Sequence, residues 1–249
     1  MLTISNVSKS YGSSPPVLEQ IDLVIDKGEF VSLIGPSGCG KSTLLKLISG
    51  LTSPGSGSIL VDGMTPVQAR KTVSYIFQDA TLLPWRTVSR NVGLGLELEH
   101  VSRETRTQRV KSLIELVGLS HVAKAYPRQL SGGMKMRVSV ARALATTPRL
   151  LLMDETFGAL DEMTRDRLNE ELLRLRAEQN WTAVFVTHSV AEAVFLSTRI
   201  IVLAPSPGRI AQEITIPLPF PRTSATREGP QFESFVTEVS RALRGVHSA

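Results

Sequence analysis

Phe30-Val31-Ser32-Leu33-Ile34-Gly35-Pro36-Ser37-Gly38-Cys39-Gly40-Lys41-Ser42-Thr43-Leu44-Leu45 is the stretch that decides the fold. Its first five residues are a short, nearly all-apolar run suited to a buried strand. Residues 41–49 place Leu44, Leu45 and Ile48 on one face of a helix. Between them Gly35 to Ser42 fits G-x-x-x-x-G-K-[ST] in the strand-to-helix context the pattern requires. Average residue usage produces the four fixed positions by chance in roughly one chain in a hundred of this length, so the flanking strand and helix carry the argument. Glycines let the backbone curl until successive N–H groups point inward at an anion, and the helix N-terminus adds partial positive charge. Lys41 then reaches β and γ phosphates, and Ser42 offers a hydroxyl to Mg²⁺.

Upstream, Leu2 and Ile4, then Ile21, Leu23 and Ile25, alternate as in strands with one buried face, and Lys27-Gly28 marks a turn. Downstream, Gly50 ends the helix, and a Pro/Gly/Ser turn covers residues 53–57. Strands are expected at 58–61 and 72–77, separated by the turn signal Asp62-Gly63. From Gln78 to Pro127 the pattern is mainly helical, with Val110, Leu113, Ile114 and Val117 at helical spacing. From Ser131 helices at 132–146, 165–179 and 191–197 alternate with apolar strands at 150–153, 183–187 and 200–203. That alternation predicts an α/β core with a largely parallel sheet. Pro205, Pro207, Pro217, Pro219 and Pro221 predict an extended tail, which ends in an amphipathic helix carrying Phe232, Phe235, Val236, Val239 and Leu243.

A chain of 249 residues, 42% hydrophobic and 20% charged, suits one folded unit with appended subregions. Its single cysteine cannot form an internal disulfide, which favours a reducing compartment, and Met1 to Gly12 lack the charged and apolar regions of a secretory signal. The most apolar stretch, residues 181–204, is interrupted by His188, Glu192 and Arg199, so membrane association is expected only through a partner. The net charge of +5 is spread among 23 acidic residues without a basic run, which argues against a nucleic-acid partner.

Leu150-Leu151-Leu152-Met153-Asp154-Glu155 is an apolar strand ending in two carboxylates, and open α/β sheets bind ligands at the carboxyl ends of their strands. Asp154 suits Mg²⁺, usually through water, and Glu155 is placed to orient or deprotonate an attacking water. Together with the phosphate loop this pair defines a P-loop nucleotidase. Leu130-Ser131-Gly132-Gly133-Met134 opens another helix with a hydroxyl and two glycines, a second arrangement suited to an anion.

With these elements in order, residues 1 to about 215 resemble the ATP-binding cassette ATPases. The resemblance implies a P-loop core with a largely parallel sheet, an N-terminal antiparallel β subdomain and a helical insert at about 79–146, leaving 216–249 as a C-terminal extension. It implies that Gly35, Pro36, Ser37, Gly38, Cys39, Gly40, Lys41, Ser42 and Thr43 cradle ATP, and that Tyr11 stacks on adenine. Gln78 senses the γ-phosphate and, with Ser42 and Asp154, the Mg²⁺ ion. Ser131, Gly132 and Gly133 complete the site of a second, head-to-tail copy, towards which Gly158-Ala159-Leu160-Asp161 crosses. Glu155 and His188 are the implied catalytic residues. His100, His121 and His247 match nothing and are expected on the surface. The fifth signature residue departs from the family's glutamine. Met134 cannot donate a hydrogen bond, but the Ser131 hydroxyl and the glycine N–H groups do not depend on it. If Cys39 lines the nucleotide pocket, ATP should slow its alkylation.

In this family the helical insert receives a membrane permease. Leu82 to Val88, with Trp85 as the proposed anchor, resembles the corresponding segment of bacterial importers. Leu83-Pro84-Trp85, Met134, Pro207-Gly208-Arg209-Ile210 and Ile216-Pro217-Leu218-Pro219 together resemble the nitrate, sulfonate, taurine and thiamine-precursor importer group. That implies a peripheral subunit on the cytoplasmic face of the cell membrane, served indirectly by a solute-binding protein. A soluble cassette ATPase of DNA repair or translation is the competing class. One cassette and no heptad run count against it.

Overall fold

The computed structural model describes residues 1–158, 160–205 and 207–247, the last without its side chain. Ala159 of the expected crossing segment and the surface placement of His247 therefore lie outside the described residues. His100 and His121 are exposed.

Two sheets organise the described residues. The smaller is antiparallel in the order β2-β1-β4. It joins β1 (Leu2–Lys9) and β2 (Leu18–Ile25) to β4 (Ser56–Val61), which follows β3 (Phe30–Ile34) and α1 (Lys41–Ile48) in the chain. The larger contains β3, β5 (Val73–Ile76), β6 (Leu150–Asp154), β7 (Thr182–Val186), β8 (Arg199–Ala204) and β9 (Arg209–Thr215) in the order β5-β6-β7-β3-β8-β9. All its pairings are parallel except β8 with β9. Between β5 and β6 lie α2 (Val88–Val92), α3 (Leu94–Leu98), α4 (Arg103–Leu116) and α5 (Gly132–Ala145). The remaining helices are α6 (Glu162–Gln179), α7 (Val190–Leu196), α8 (Ser224–Arg227) and α9 (Pro230–His247).

The all-apolar strands follow from burial on both faces. Phe30 and Ile34 of β3 point into a core with Phe157, Phe185 and Trp181, while Val31 and Leu33 point into another with Leu44, Leu45 and Leu2 of the antiparallel sheet. Helix α1 ends as its glycine predicts. Gly50, at φ +71°, lets its own N–H reach Leu47 O at 3.1 Å and the Leu51 N–H reach Lys46 O at 3.0 Å, closing off the last carbonyls.

Asp62-Gly63 is the expected turn, with φ of +51° and +75°, and the strands on either side of it enter different sheets, β4 the small one and β5 the large one. The tail also contains a strand: its prolines flank residues 209–215 instead of interrupting them, so β9 can pair along β8 as an edge. Beyond it Leu218, Phe232 and Val239 join the core that contains Phe185 and Phe195.

Candidate nucleotide-binding site

Strand register brings the site together. Val186 of β7 pairs with Leu33 of β3 on one side and with Asp154 of β6 on the other. The phosphate loop, the Asp154-Glu155 pair and His188 thus leave the sheet at one level, at the carboxyl ends of neighbouring strands. In the loop, Gly35, Gly38 and Gly40 take φ of +157°, +81° and +93°. A Cβ on Gly40 would meet Leu18 Cδ2 at 2.5 Å, whereas one on Gly38 would meet nothing within 4 Å. The first glycine permits packing against β2; the second leaves an open face beside exposed Ser37. Pro36 and Thr43 flank this face half-buried. The Lys41 ammonium donates to Gly35 O and Pro36 O, both at 2.8 Å, so the cation is held over the curl of the loop.

Cys39 departs from the expectation of a pocket-lining thiol. Its side chain is fully buried in the core behind the loop, and its Sγ would touch a Cβ on Gly35 at 2.8 Å. Burial raises the thiol's pKa against the opposing Lys41 charge. The thiol therefore faces the core and not the open side of the loop.

The first residue of α1 after the lysine meets the end of β6: Ser42 Oγ donates to Asp154 Oδ1 at 2.8 Å. The other carboxylate oxygen accepts from Tyr75 Oη at 3.1 Å. Burial and the Asp154 charge push the Tyr75 phenol well above its ordinary range, so it remains a donor. Among the described residues no cluster of three His, Cys, Asp or Glu side chains could hold a metal by itself. A serine hydroxyl and one carboxylate form a donor set that would suit Mg²⁺, which needs few protein ligands.

Glu155 follows in the left-handed region, at φ +45°, with its N–H bonded to Val186 O at 2.9 Å. Its Oε2 accepts from Gln78 Nε2 at 3.0 Å and lies 4.0 Å from His188 Nδ1. Gln78, Glu155 and His188 are thereby gathered next to Asp154, although they come from the ends of three different strands.

Other expected site residues lie apart from this group. Tyr11 is 46% exposed, with the Lys9 ammonium 5.0 Å from its ring centre. Ser131 caps α5, its Oγ accepting from Met134 N at 3.3 Å, and Ser131 and Gly132 are exposed with Gly133 half-buried. No hydrogen bond among the described residues joins Ser131, Gly132 or Gly133 to Gly35–Thr43. The Met134 side chain packs against the core that contains Phe30 and Phe185. Asp161 caps α6 by accepting from Thr164 N at 3.0 Å, which lowers its pKa.

Sequence reasoning missed three supporting residues. Tyr75 sits in an apolar strand, where a partly polar ring carries no motif. Arg142 of α5 donates to Ala80 O at 3.0 Å and Thr81 O at 2.9 Å, tying the segment after Gln78 to the helix that Ser131 opens. Asn91, fully buried, accepts from Leu83 N at 2.8 Å and donates to Leu83 O, Arg86 O and Thr87 O at 2.9–3.1 Å. It fixes the loop on which Trp85 stands 70% exposed. Nothing in the sequence marks Asn91, because its burial and its partners are set only by folding.

A glycine loop with its lysine, a serine and a carboxylate converging at 2.8 Å, and a glutamate beyond the same strand end define a P-loop nucleotidase. Comparison with known proteins is narrower. The family model described as ABC transporter matches residues 18–158. The nitrate import ATP-binding protein of Synechocystis sp. is 44% identical, over 92% of this chain and 88% of that protein. The aliphatic sulfonates import ATP-binding protein of Bacillus cereus is 43% identical over 89% and 88%. A solved ATP-binding cassette, described as a dimer in a post-hydrolysis state bound to ADP and Pi, is 34% identical with a TM-score of 0.81, covering 87% of this chain and 99% of that one. The chain belongs to the ABC transporter ATP-binding family: it binds ATP and is an ATPase coupled to substrate transport.

Proposed function

We propose that this chain is the ATP-hydrolysing subunit of an importer that takes up a small solute of the nitrate, sulfonate, taurine or pyrimidine and thiamine-precursor class. It works at the cytoplasmic face of the cell membrane through a separate permease, to which a solute-binding protein delivers. Two copies stand head to tail, each adding Ser131, Gly132 and Gly133 to the ATP held by the other's Gly35–Thr43. The exposed N-terminus of α5 carries this reading: an anion-binding arrangement with no bond to the chain's own phosphate loop needs a partner's nucleotide to act on. Similarity to nitrate and sulfonate import proteins supports an importer over the nucleic-acid or translation alternative. No helix among the described residues is long and apolar enough to cross a membrane, so contact with the bilayer's transport path falls to the permease.

Within each site Lys41 and the loop N–H groups hold the phosphates, and Tyr11 offers an aromatic face to the base. Ser42 and Asp154 hold Mg²⁺, which supplies charge neutralisation on the phosphate oxygens. Glu155 orients the attacking water and accepts its proton, while Gln78 and His188 fix the carboxylate and the terminal phosphate. Closure does work only because ATP binds the closed dimer more tightly than the open one.

Permease contact falls to the Trp85 loop, beside a groove of about 860 Å³ lined by Trp85, Arg86, Ser89, Arg90, Arg106 and Lys111. The test is affinity purification of the tagged full chain from detergent-solubilised membranes of its own cell. A multispanning permease is expected to accompany it, and Trp85→Ala should cut recovery at least about tenfold, as loss of an aromatic anchor does. Recovery of nucleic acid or ribosomes in place of a permease, or unchanged recovery with Trp85→Ala, overturns the reading.

A further inference from the structure

Outside the phosphate site, the described residues contain one buried carboxylate that the hydrolysis scheme does not use. Glu192, 6% exposed, lies in the first turn of α7, four residues after His188. Its Oε2 accepts from the hydroxyl of Thr187 at 2.7 Å, and Thr187 is itself buried. Thr187 Oγ1 also accepts from Ser189 N at 3.0 Å, while Ser189 Oγ accepts from Glu192 N at 3.3 Å. These bonds close a ring around His188, whose own side chain projects outward, 70% exposed.

The second carboxylate oxygen faces a different element. Glu192 Oε1 lies 3.4 Å from Arg165 Nε, at ion-pair distance but without hydrogen-bond alignment. Arg165 belongs to the first turn of α6, and its Nη2 donates to Leu160 O at 2.9 Å, one residue before the Asp161 cap. A single guanidinium thus touches the 160–161 turn with one nitrogen and faces the ring around His188 with another. Burial raises the pKa of Glu192, so holding the carboxylate here is costly, and a contact with no role in placement would be better made by an apolar side chain.

We infer that Arg165 and Glu192 are positioning residues that tie the His188 loop to the Leu160–Asp161 turn, so that displacement of that turn in the dimer changes where His188 stands. The inference rests on His188 acting at the ATP site, as proposed above. Turnover, and not nucleotide affinity, is the quantity the pair controls, because neither residue approaches the phosphate loop.

Glu192→Gln keeps the shape and can still accept from Thr187, but removes the charge facing Arg165; Arg165→Gln removes the other partner. In the purified full chain each should lower kcat about tenfold while KM for ATP stays within about twofold. The double variant should be no slower than either single one. Arg165→Lys, which keeps the charge, should recover most of the loss. In a His188→Ala background, neither Gln variant should change the residual single-turnover rate, since the pair then has nothing to position. Wild-type kcat in both Gln variants, a proportional rise in KM, or an equal loss on top of His188→Ala overturns the inference. Arg165 is partly solvent-exposed, so its variants carry the test if Glu192→Gln fails to fold. Wild-type turnover in His188→Ala alone refutes the reading of His188 and this inference with it, through a different variant, so the two failures are distinguishable.

Discussion

Glu155 occupies the left-handed region that a non-glycine residue rarely takes, one position past the end of β6, with Gln78 and His188 both facing its Oε2. Backbone strain is retained at such a position only where the surroundings enforce it, here through the hydrogen bond that the Glu155 N–H donates to Val186 O. The side chain is therefore aimed by its own backbone and needs little ordering when substrate arrives. Glu155→Gln preserves size and can still bond Gln78, but cannot take a proton from water. Nucleotide affinity is expected to stay within a few-fold of wild type, while phosphate release falls at least about a hundredfold, the usual effect of removing a general base. Equilibrium binding of a fluorescent ATP analogue and a steady-state phosphate assay separate the two quantities. Wild-type-like turnover rejects Glu155 as the base.

At the level of elements, α7 shows how much of the scaffold around the site depends on residues that follow β9. Arg222, 2% exposed, makes six hydrogen bonds to five carbonyls: those of Val194, Phe195 and Ser197 at the end of α7, and those of Ile216 and Leu218. Burial and the nearby Arg176 charge pull its pKa down to about 10, which leaves it protonated at neutral pH and every bond charge-assisted. Arg222→Met fills similar space but strands those carbonyls, and should cost about 3 kcal/mol or more in urea-induced unfolding. A loss below about 1 kcal/mol would show that water replaces the guanidinium. Nothing in the sequence singles Arg222 out, because its partners are backbone groups brought close only by folding. The strands were legible for the opposite reason: their apolar runs are imposed by burial on both faces, and the glycines of the phosphate loop by local backbone geometry. Pairing depends on neither. Thus β9 was missed between its prolines, and the Asp62-Gly63 turn gave no sign that the strands beside it enter different sheets. Tyr75 and Asn91 were hidden likewise, since each acts through a partner set by tertiary structure.

For the whole molecule, the central question is whether one chain contains a complete site. Lys41 and Ser131 open different helices, α1 and α5, and a head-to-tail pair with twofold symmetry would bring Lys41 of each copy opposite Ser131 of the other. Mixing two inactive variants tests this directly. Lys41→Ala removes the phosphate-binding cation but leaves α5 intact. Ser131→Arg obstructs the opening of α5 but leaves the phosphate loop intact. Either homodimer has two defective sites. A mixed dimer has one site with both lesions and one with neither, because the intact loop of the Ser131→Arg chain faces the intact α5 of the Lys41→Ala chain. At equal amounts with random pairing, half the dimers are mixed and half the sites in each are intact, so roughly one site in four recovers. Hydrolysis up to about a quarter of the wild-type rate is therefore expected on mixing, at concentrations where dimers form, and each variant alone should stay near background. If the two sites must fire together, recovery is lower, but single-turnover hydrolysis of ATP bound at the intact site still appears. Were each chain to hold a complete site of its own, mixing would restore nothing in either assay, because every phosphate loop would remain beside the lesion of its own chain.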